Sequence, residues 1–544
     1  MLRADDSRTA TDQGMITIAA VQFNPVQGQP KRNRARMVEQ LAEAAVSGAR
    51  LIVFPEMAAS GYVWENRAEI KPFVETIPGP TTDALLAVTS RCDCYAVVGL
   101  PELDPGTGIY YNSAALIGPN GVIGVYRKTH LFADDPRWAR EGNDGIRVFQ
   151  TPIGNIAMLI CMDAMYFEPS RIAALQDADI VAFPTNWVGG GNNPPSKTWC
   201  LRAWENGVYW IAANRSDQER GAQFTGGSGI IGPDGEVQQS QMSGEGIVYG
   251  KIPAIMQSSS ARRRQLLETR RPQAYHDILL HPYLWKEGQT RQIPSPENFT
   301  IALLPYEQGE GLSIDRLIEE LSELESMNPL SSNRLIVLSQ VEFEPQQIAR
   351  EAVLNRLVEQ CALSGSFLVV TLSDTGTEHA DCVNCYLIGP EGLVGHVSTV
   401  HASFENTEGE PSFRTFELPF GRVGLLTAQD AGYPESYRVL AKQGADIIAV
   451  SCNGHEPGKA WMRKIWAFEN DAVLAIAAPP QTPENLLFLH RQVHREGAIP
   501  AGEVFNATFG AEQLTVARSR PFMRRLKTHL YESLIRTEQG GSER

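Results

Sequence analysis

The sequence has no long run of apolar residues, although 43% of its 544 residues are hydrophobic. No stretch approaches the ~18 consecutive apolar residues that a membrane-spanning helix needs, so we expect no membrane segment. Residues 1–14 lack the apolar core of a signal peptide, and we interpret them as a polar tail. Together these absences predict a cytoplasmic protein.

Cysteine and positive charge are also scarce. Eight cysteines in a chain of this length are too few for a disulfide scaffold, so we expect reduced thiols. Cys92/Cys94 and Cys382/Cys385 are close pairs, but neither has further ligands at zinc-site spacing, and no metal site is expected. The formal net charge of −15 argues against a nucleic-acid partner and against an anionic membrane surface.

The chain is too long for one hydrophobic core, and its pattern indicates one domain that occurs twice. Strands alternate with helices and hairpins over residues 15–281, which favours an α/β fold with mixed sheets. Residues 282–298 lose this periodicity and are interpreted as a linker, after which five segments recur in the same order within residues 299–537. The recurring pairs are Ile16–Ala20 with Phe299–Leu303, Arg50–Phe54 with Arg334–Leu338, Leu116–Gly121 with Leu387–Gly392, Ala178–Ala182 with Ala445–Ala449, and Ala203–Asn206 with Ala467–Asn470. We therefore predict a tandem duplication, followed by a short tail at residues 538–544.

Comparison of the two copies singles out three residues that each follow a predicted strand, namely Glu56, Lys128 and Cys161. Their places in the second copy are taken by Gln340, Thr399 and Ala428. The surrounding segments are retained, and only side chains that can attack, transfer a proton or carry charge are lost. A buried ion pair and a core thiol would not explain why the losses coincide. We therefore interpret the three residues as catalytic and the second copy as degenerate.

The three side chains suit a single reaction. A thiol can attack a carbonyl or nitrile carbon when a base such as Glu56 accepts its proton. Lys128 and the backbone N–H of Met162 can stabilise the oxyanion that develops. Lys128 is also expected to lower the pKa of the thiol.

Several motifs of residues 15–281 resemble those of the carbon–nitrogen hydrolase (nitrilase) superfamily. The motifs are Pro55-Glu56 with Gly61-Tyr62, Tyr126–Phe132, Ile160–Asp163, Arg202–Asn206 and Arg270-Arg271-Pro272. The resemblance implies a four-layer αββα sandwich, a Glu-Lys-Cys triad, no cofactor and face-to-face pairing of two sandwiches. Because the second copy has the same frame, we expect an intramolecular pseudo-dimer, with homo-oligomers as a further expectation.

Two positions depart from the usual family pattern. Members often carry a second glutamate after the lysine, and counting back from Gly142 places it at Asp135, with Asp134 and Glu141 as alternatives. The segment Cys161–Asp163 is similar to the amidase and carbamoylase members, whereas nitrilases usually carry Cys-x-Glu. The resemblance therefore favours an amide substrate.

We expect an amidase that releases ammonia or an amine from a small amide through a thioester, with a nitrilase as the alternative enzyme. Tyr62, Asn186 and Trp187 are the candidate substrate contacts because each lies just beyond a strand end, although aromatic packing at the rim is the alternative. A non-catalytic scaffold or binding protein is the alternative of another class. It is disfavoured because all three triad residues are present.

Overall fold

The computed structural model describes residues 14–188, 195–253, 261–280, 297–306, 314–327, 333–343, 349–374, 383–401, 412–454, 460–489 and 492–536. The chain folds into two compact units, Met1–Glu268 and Thr269–Arg544. Residues 1–13 and 538–544 of the predicted tails, and residues 282–296 of the predicted linker, lie outside the described residues. Within the described ranges, no helix is both long enough and apolar enough to cross a membrane.

The first unit contains fourteen strands and six α-helices within its described residues and Thr269. Its strands are β1 (Met15–Gln22), β2 (Ala49–Val53), β3 (Tyr95–Leu103), β4 (Tyr110–Gly118), β5 (Gly121–Arg127), β6 (Val148–Thr151), β7 (Gly154–Met158), β8 (Ile180–Pro184), β9 (Tyr209–Ala213), β10 (Gln218–Glu219), β11 (Ala222–Gln223), β12 (Ser228–Ile231), β13 (Val237–Gln241) and β14 (Gly246–Pro253). Its helices are α1 (Pro30–Val46), α2 (Arg67–Ile70), α3 (Pro80–Cys92), α4 (Phe167–Leu175), α5 (Lys197–Asn206) and α6 (Ala261–Thr269).

These strands form two six-stranded sheets, in the orders β14-β1-β2-β3-β4-β5 and β13-β12-β9-β8-β7-β6. The three central strands of each sheet are parallel, and the outer strands are antiparallel. The sheets face each other, since β1 contacts β9 and β12 while β2 and β3 contact β8. Strands that are covered on both faces are apolar along their whole length, which is why β2 and β8 read as continuous hydrophobic runs.

Helices cover the outer face of each sheet. Met37, Leu41 and Ala44 recur at helical spacing on α1 and pack with β-strand residues such as Val21 and Ile52. On the other side, α5 contacts β9 and β12. The first unit is therefore the four-layer αββα sandwich that the sequence predicted.

The second unit has its own set of strands and helices. Its strands are β15 (Phe299–Leu304), β16 (Arg334–Leu338), β17 (Val341–Phe343), β18 (Phe367–Asp374), β19 (Asn384–Gly389), β20 (Gly392–Ser398), β21 (Thr415–Leu418), β22 (Gly421–Thr427), β23 (Ile447–Ser451), β24 (Val473–Ala477), β25 (Leu486–Leu489), β26 (Gln492–Glu496) and β27 (Phe505–Phe509). Its helices are α7 (Ile314–Met327), α8 (Arg350–Ser364), α9 (Pro434–Lys442), α10 (Ala460–Glu469) and α11 (Ala511–Arg518).

The sheets of the second unit repeat those of the first. Their orders are β27-β15-β16-β18-β19-β20 and β21-β22-β23-β24-β25-β26, with β17 added beside β18. The central strands are again parallel and the outer strands antiparallel. Ile301 and Val337 of one sheet share a buried core with Leu425 and Ala449 of the other. The repeat in the sequence is thus a repeat of the fold.

Residues 269–280 lie within the predicted first domain, 15–281, but belong to the second unit in the folded chain. The short helix His276–Leu279 lies against α9, and Gln443 Nε2 donates to Asp277 Oδ2 at 2.8 Å. The domain limits 15–281 and 299–537 follow the sequence repeat and stay a prediction. The folded units themselves divide after Glu268.

Replacing Leu41 by alanine should destabilise the first unit. Leu41 is fully buried between α1 and the first sheet, so the substitution removes apolar contacts and leaves a cavity, at a cost of about 2–5 kcal/mol. Urea unfolding followed by circular dichroism measures this change. Glu39→Ala on the exposed face of the same helix is the matched control, and an equal loss in both variants would contradict this packing.

Candidate active site

The three residues singled out by the sequence lie together in the first unit, each beyond the end of a strand. Glu56 follows β2, Lys128 follows β5, and Cys161 follows β7 at the start of the 3-10 helix Cys161–Met165. Lys128 Nζ contacts Glu56 Oε1 at 2.7 Å, and both side chains are fully buried. The Cys161 thiol is buried close enough to both for their charges to act on its pKa. The ends of β2 and β5 in one sheet and of β7 in the other therefore bring an acid, an amine and a thiol into one cluster.

Asp135 joins this cluster through a direct contact with Lys128. Its Oδ2 accepts a hydrogen bond from Lys128 Nζ at 2.7 Å. Of the two alternatives, Asp134 pairs with Arg137 at 3.2 Å, and Glu141 is exposed. Lys128 thus lies between two buried carboxylates. The role of Asp135 as the additional acid stays a prediction, but its position fits that role.

Asn186 contacts Glu56 directly. Its backbone N–H donates to Glu56 Oε2 at 2.9 Å, and its side-chain Nδ2 donates to the Glu56 carbonyl at 2.9 Å. Asn186 is therefore bonded to the acid through its backbone and its side chain, its backbone N–H also acts on the Cys161 thiol, and its buried Oδ1 has no partner in the structure. The expected substrate contact by Asn186 remains a prediction that this one atom could satisfy.

Tyr62 and Trp187 have different surroundings. The ring centroid of Tyr62 is 5.9 Å from Lys128 Nζ, and the Tyr62 hydroxyl is buried without a hydrogen-bond partner. Trp187 is half-buried and packs edge-to-face on Trp199 at 5.5 Å. Tyr62 also packs edge-to-face on Phe224 at 6.2 Å, so both residues take part in the aromatic packing that was the alternative, and their substrate contacts stay predictions.

The backbone at Cys161 is left-handed, with φ of 44°. A residue other than glycine in this region carries about 1–3 kcal/mol of strain, which the surrounding structure must hold. Met162 comes next, within the first turn of the 3-10 helix, where N–H groups have no partner inside the helix. This is the setting that the predicted oxyanion donor requires.

Asp163 holds the loops of Lys128 and Cys161 together. Its carboxylate accepts hydrogen bonds from the hydroxyls of Tyr126 and Thr129, from His130 and from the backbone N–H of Ile160. Burial alone would raise the pKa of Asp163, but these donors lower it overall, so the carboxylate is ionised. The bonds fix the distance between the two loops that carry the amine and the thiol.

The second unit keeps this support without the reactive groups. His401 Nδ1 lies 2.7 Å from Asp430 Oδ1, as His130 Nδ1 lies 2.9 Å from Asp163 Oδ1. The histidine and aspartate are therefore structural in both copies. Ala428, at the place of Cys161, has no left-handed backbone, so the strain disappears with the thiol.

Burial sets the resting charge of the thiol. It raises the pKa of Cys161 to about 12; Glu56 acts in the same direction, and Lys128 in the opposite one. Lys128 lowers the pKa of the thiol, as expected from the sequence, but burial is the larger influence and leaves the pKa above its ordinary value. Cys161 is therefore a neutral thiol at rest.

Glu56 and Lys128 have raised pKa values of their own. Burial is the largest influence on Glu56 and raises its pKa above 4.5, while Lys128 opposes this change. Burial would lower the pKa of Lys128, but Asp135 and Glu56 more than reverse it, so the amine stays charged. A carboxylate with a raised pKa beside a neutral thiol is suited to accept its proton.

Two residues of the site were not identified from the sequence, Asn112 and Gly99. Asn112 Nδ2 donates to Glu56 at 2.8 Å and to Asp135 at 3.2 Å. A Cβ atom on Gly99 would come within 2.5 Å of the Glu56 Cα. Both lie within strands rather than at strand ends, but the comparison of the copies contained a signal. The strand registers align Gly99 with Thr371 of the second copy.

Among the described residues, no group of three or more His, Cys, Asp or Glu side chains could hold a metal ion. The polar groups around Cys161 are instead bonded to one another, as described above.

Comparison with known proteins gives the family. The sequence profile of the family described as carbon–nitrogen hydrolase matches residues 17–259 and 378–487, which are well over half of the chain and include parts of both units. The chain belongs to the carbon–nitrogen hydrolase family. This hydrolase is similar over one copy to a nitrilase of Pyrococcus abyssi, with 38% identity over 224 residues, 41% of this chain and 84% of that protein.

Other relatives of the hydrolase are amidases. The omega-amidase NIT2 of Homo sapiens is 30% identical over 236 residues, which cover 40% of this chain and 82% of that protein. Among solved structures, an amidase from Nesterenkonia sp. is 26% identical and covers 44% of this chain and 91% of its own, with a TM-score of 0.40.

Gly99→Ala should impair hydrolysis by displacing Glu56. The added methyl group would meet the backbone of Pro55, Glu56 and Met57 at 2.5–2.9 Å, and a shift of about 1 Å in a reacting group can lower a rate about 100-fold. Steady-state kinetics measures the loss. Gly106→Ala is the control, since the nearest atom to its Cβ would be the Asp104 carboxylate at 3.4 Å. Unchanged kinetics in the Gly99 variant would show that Glu56 does not need this close approach.

Proposed function

We propose that the protein is a cysteine-dependent amidase that hydrolyses a small non-peptide amide and releases ammonia or an amine. The observation that carries this proposal is the buried Lys128–Glu56 pair at 2.7 Å beside the Cys161 thiol. The degenerate copy supports it, because it has the same fold but lacks all three groups.

In the first step, Cys161 Sγ attacks the carbonyl carbon of the amide, and the thiol proton passes to Glu56. Since the pKa of the thiol is about 12, proton transfer must accompany the attack. The oxyanion that forms is stabilised by the charged Lys128 and the backbone N–H of Met162. Burial favours this arrangement because a fixed charge acts more strongly where water is excluded.

In the next steps, the protonated Glu56 returns its proton to the leaving nitrogen, the C–N bond breaks, and an acyl thioester on Cys161 remains. Glu56 then accepts a proton from a water molecule that attacks the thioester carbon. The C–S bond breaks and the thiol regains its proton. One acid thus serves both half-reactions, while Lys128 keeps its charge throughout.

A nitrilase is the second candidate, favoured by the similarity to the protein named nitrilase in Pyrococcus abyssi. The same thiol could add to a nitrile carbon. We favour the amide because Cys161-Met162-Asp163 is similar to the amidase members and because other relatives are named amidases.

We infer that the second unit has no turnover of its own. Gln340 Nε2, at the place of the Glu56 carboxylate, donates to Ser373 Oγ at 3.1 Å, and an amide cannot accept a proton as a base does. The pairing of the two halves as a pseudo-dimer and the cytoplasmic location stay predictions, as do the substrate contacts.

Cys161→Ala should abolish ammonia release from a panel of amides, N-carbamoyl compounds and nitriles. Without the thiol no thioester can form, and we expect a loss of at least about 1000-fold, the scale seen when a nucleophile is removed. The matched control is Cys200→Ala, another buried thiol of the same unit, which should keep its activity. Equal rates in native protein and the Cys161 variant would refute the mechanism, and activity on nitriles alone would favour the nitrilase.

The resting enzyme should contain no Cys161 thiolate at neutral pH. Because burial raises the pKa of this thiol to about 12, the thiolate absorbance of native protein and Cys161→Ala should coincide at pH 7. It should diverge only at strongly alkaline pH. A difference at pH 7 would mean that a preformed thiolate attacks and that Glu56 is not needed as the first base.

A further inference from the structure

Asn112 lies inside strand β4, and its side chain bridges the two acids of the site. Its Nδ2 donates to Glu56 Oε1 at 2.8 Å and to Asp135 Oδ1 at 3.2 Å. Its backbone carbonyl accepts the Lys128 N–H at 2.8 Å, and only 1% of Asn112 is exposed. One residue therefore contacts the base, the additional acid and the backbone of the lysine.

This cluster has an imbalance of charge that Asn112 helps to offset. Two carboxylates, Glu56 and Asp135, share one cation, Lys128, and all three side chains are buried. Buried like charges repel each other, and hydrogen-bond donors between them offset part of the cost of this repulsion. The Asn112 amide supplies two N–H donors on one nitrogen, one for each carboxylate. It can do this without adding a charge.

The orientation of the amide follows from its neighbours. If the side chain were turned over, its Oδ1 would face two carboxylate oxygens, neither of which can donate when ionised. The Nδ2 group must therefore face the acids. The buried Oδ1 then points elsewhere and has no hydrogen-bond partner in the structure.

The second copy shows what happens to this position when the acids are absent. The Thr399 N–H donates to the Val383 carbonyl at 3.1 Å, as the Lys128 N–H donates to the Asn112 carbonyl. The strand pairings β3–β4 and β18–β19 give the same alignment. Asn112 is thus replaced by a residue without a side-chain donor, although the strand and its backbone bond are retained.

An asparagine with a structural role, unlike Asn112, is the same in the two copies. Asn206 Nδ2 donates to the Arg202 carbonyl at 2.9 Å, and its counterpart Asn470 donates to the Trp466 carbonyl at 2.7 Å. This buried asparagine is kept in the copy that has no triad. The loss of the Asn112 amide therefore follows the loss of the acids rather than a general loss of buried asparagine.

We propose that Asn112 is a positioning residue that holds Glu56 in its ionised form and at a fixed distance from Asp135 and Lys128. The inference rests on the proposed role of Glu56 as the base. Asn112 need not contact the substrate, since it acts through the carboxylate.

The expected effect on the pH dependence of activity follows from the direction in which the Asn112 hydrogen bond shifts the pKa of Glu56. The groups that act on Glu56 or share its cluster are Lys128, Asp135, Cys161 and Tyr62. Burial raises the pKa of Glu56, and the hydrogen bond from Asn112 lowers it. Without this bond the pKa rises further, and the base becomes protonated at a higher pH. Activity is then lost earlier as the pH falls.

The variant Asn112→Val tests the proposal in the full-length protein. Valine is the residue at this place in the second copy, Val383. The acid limb of kcat/KM against pH should move upward by about one to two units, the shift expected on losing a hydrogen bond to a charged group. Asn112→Ser, which keeps one hydroxyl donor, should lie between the valine variant and the native protein. If the valine variant does not fold, the serine variant alone tests the proposal.

Asn206→Ala is the matched control. It removes a buried asparagine of the same unit, so it should lower the unfolding temperature but leave the acid limb in place. An unshifted acid limb in both Asn112 variants, with ammonia release still dependent on Cys161, would overturn the role of Asn112 alone. Activity that is independent of Cys161 would overturn the proposed function instead.

A second measurement does not depend on knowing the substrate. The rate at which iodoacetamide alkylates Cys161 can be followed by mass spectrometry across pH. If Glu56 assists removal of the thiol proton, the acid limb of this rate should lie at the lowest pH in the native protein. It should lie at a higher pH in the serine variant and at the highest pH in the valine variant. Identical profiles in the three proteins would overturn the proposal.

Discussion

The site depends on a single buried cation held between two carboxylates. Lys128 contacts Glu56 and Asp135 at 2.7 Å each, and all three side chains are buried. Removing such charges from water costs several kcal/mol per ion, which only close contacts and further hydrogen bonds can offset. Asn112 and Asn186 supply such bonds to Glu56, and Asn112 and the backbone N–H of Phe132 supply them to Asp135. The geometry of the chemistry is therefore fixed by the same contacts that make the buried charges tolerable.

Much of this arrangement could be predicted because the chain contains its own comparison. Glu56, Lys128 and Cys161 each follow a strand, and their joint absence from a second copy with the same flanking segments identified them. Asp135 was found by counting within a family pattern, and the structure brings it to Lys128. The order of strands and helices gave an α/β fold with mixed sheets, the family resemblance implied the αββα layers, and the repeated strand order agrees with the repeated sequence.

What could not be predicted depends on distances that exist only in the folded chain. The pKa of Cys161 is set by how far burial outweighs one nearby amine, and no pattern in the sequence gives that balance. Asn112 and Gly99 sit within strands, where side chains usually face a core or a helix, so nothing marked them as neighbours of an acid. Their signal lay in the same comparison of copies, but the alignment needs the strand pairing to be certain.

The replacement of Gly99 by Thr371 has a consequence for the history of the second unit. Thr371 donates two hydrogen bonds to Ser451 of the facing sheet, from its backbone N–H at 2.8 Å and from its hydroxyl at 3.2 Å. In the first copy, the segment that carries Glu56 approaches closely at Gly99. At the same position in the second copy, Thr371 forms hydrogen bonds between the two sheets. Substitutions that restored only the thiol, the acid and the amine would leave these hydrogen bonds in place. Removing the bonds would weaken the contact between the two sheets. The arrangement of the first copy could therefore be restored in the second only by losing these two hydrogen bonds as well as by changing Gln340, Thr399 and Ala428.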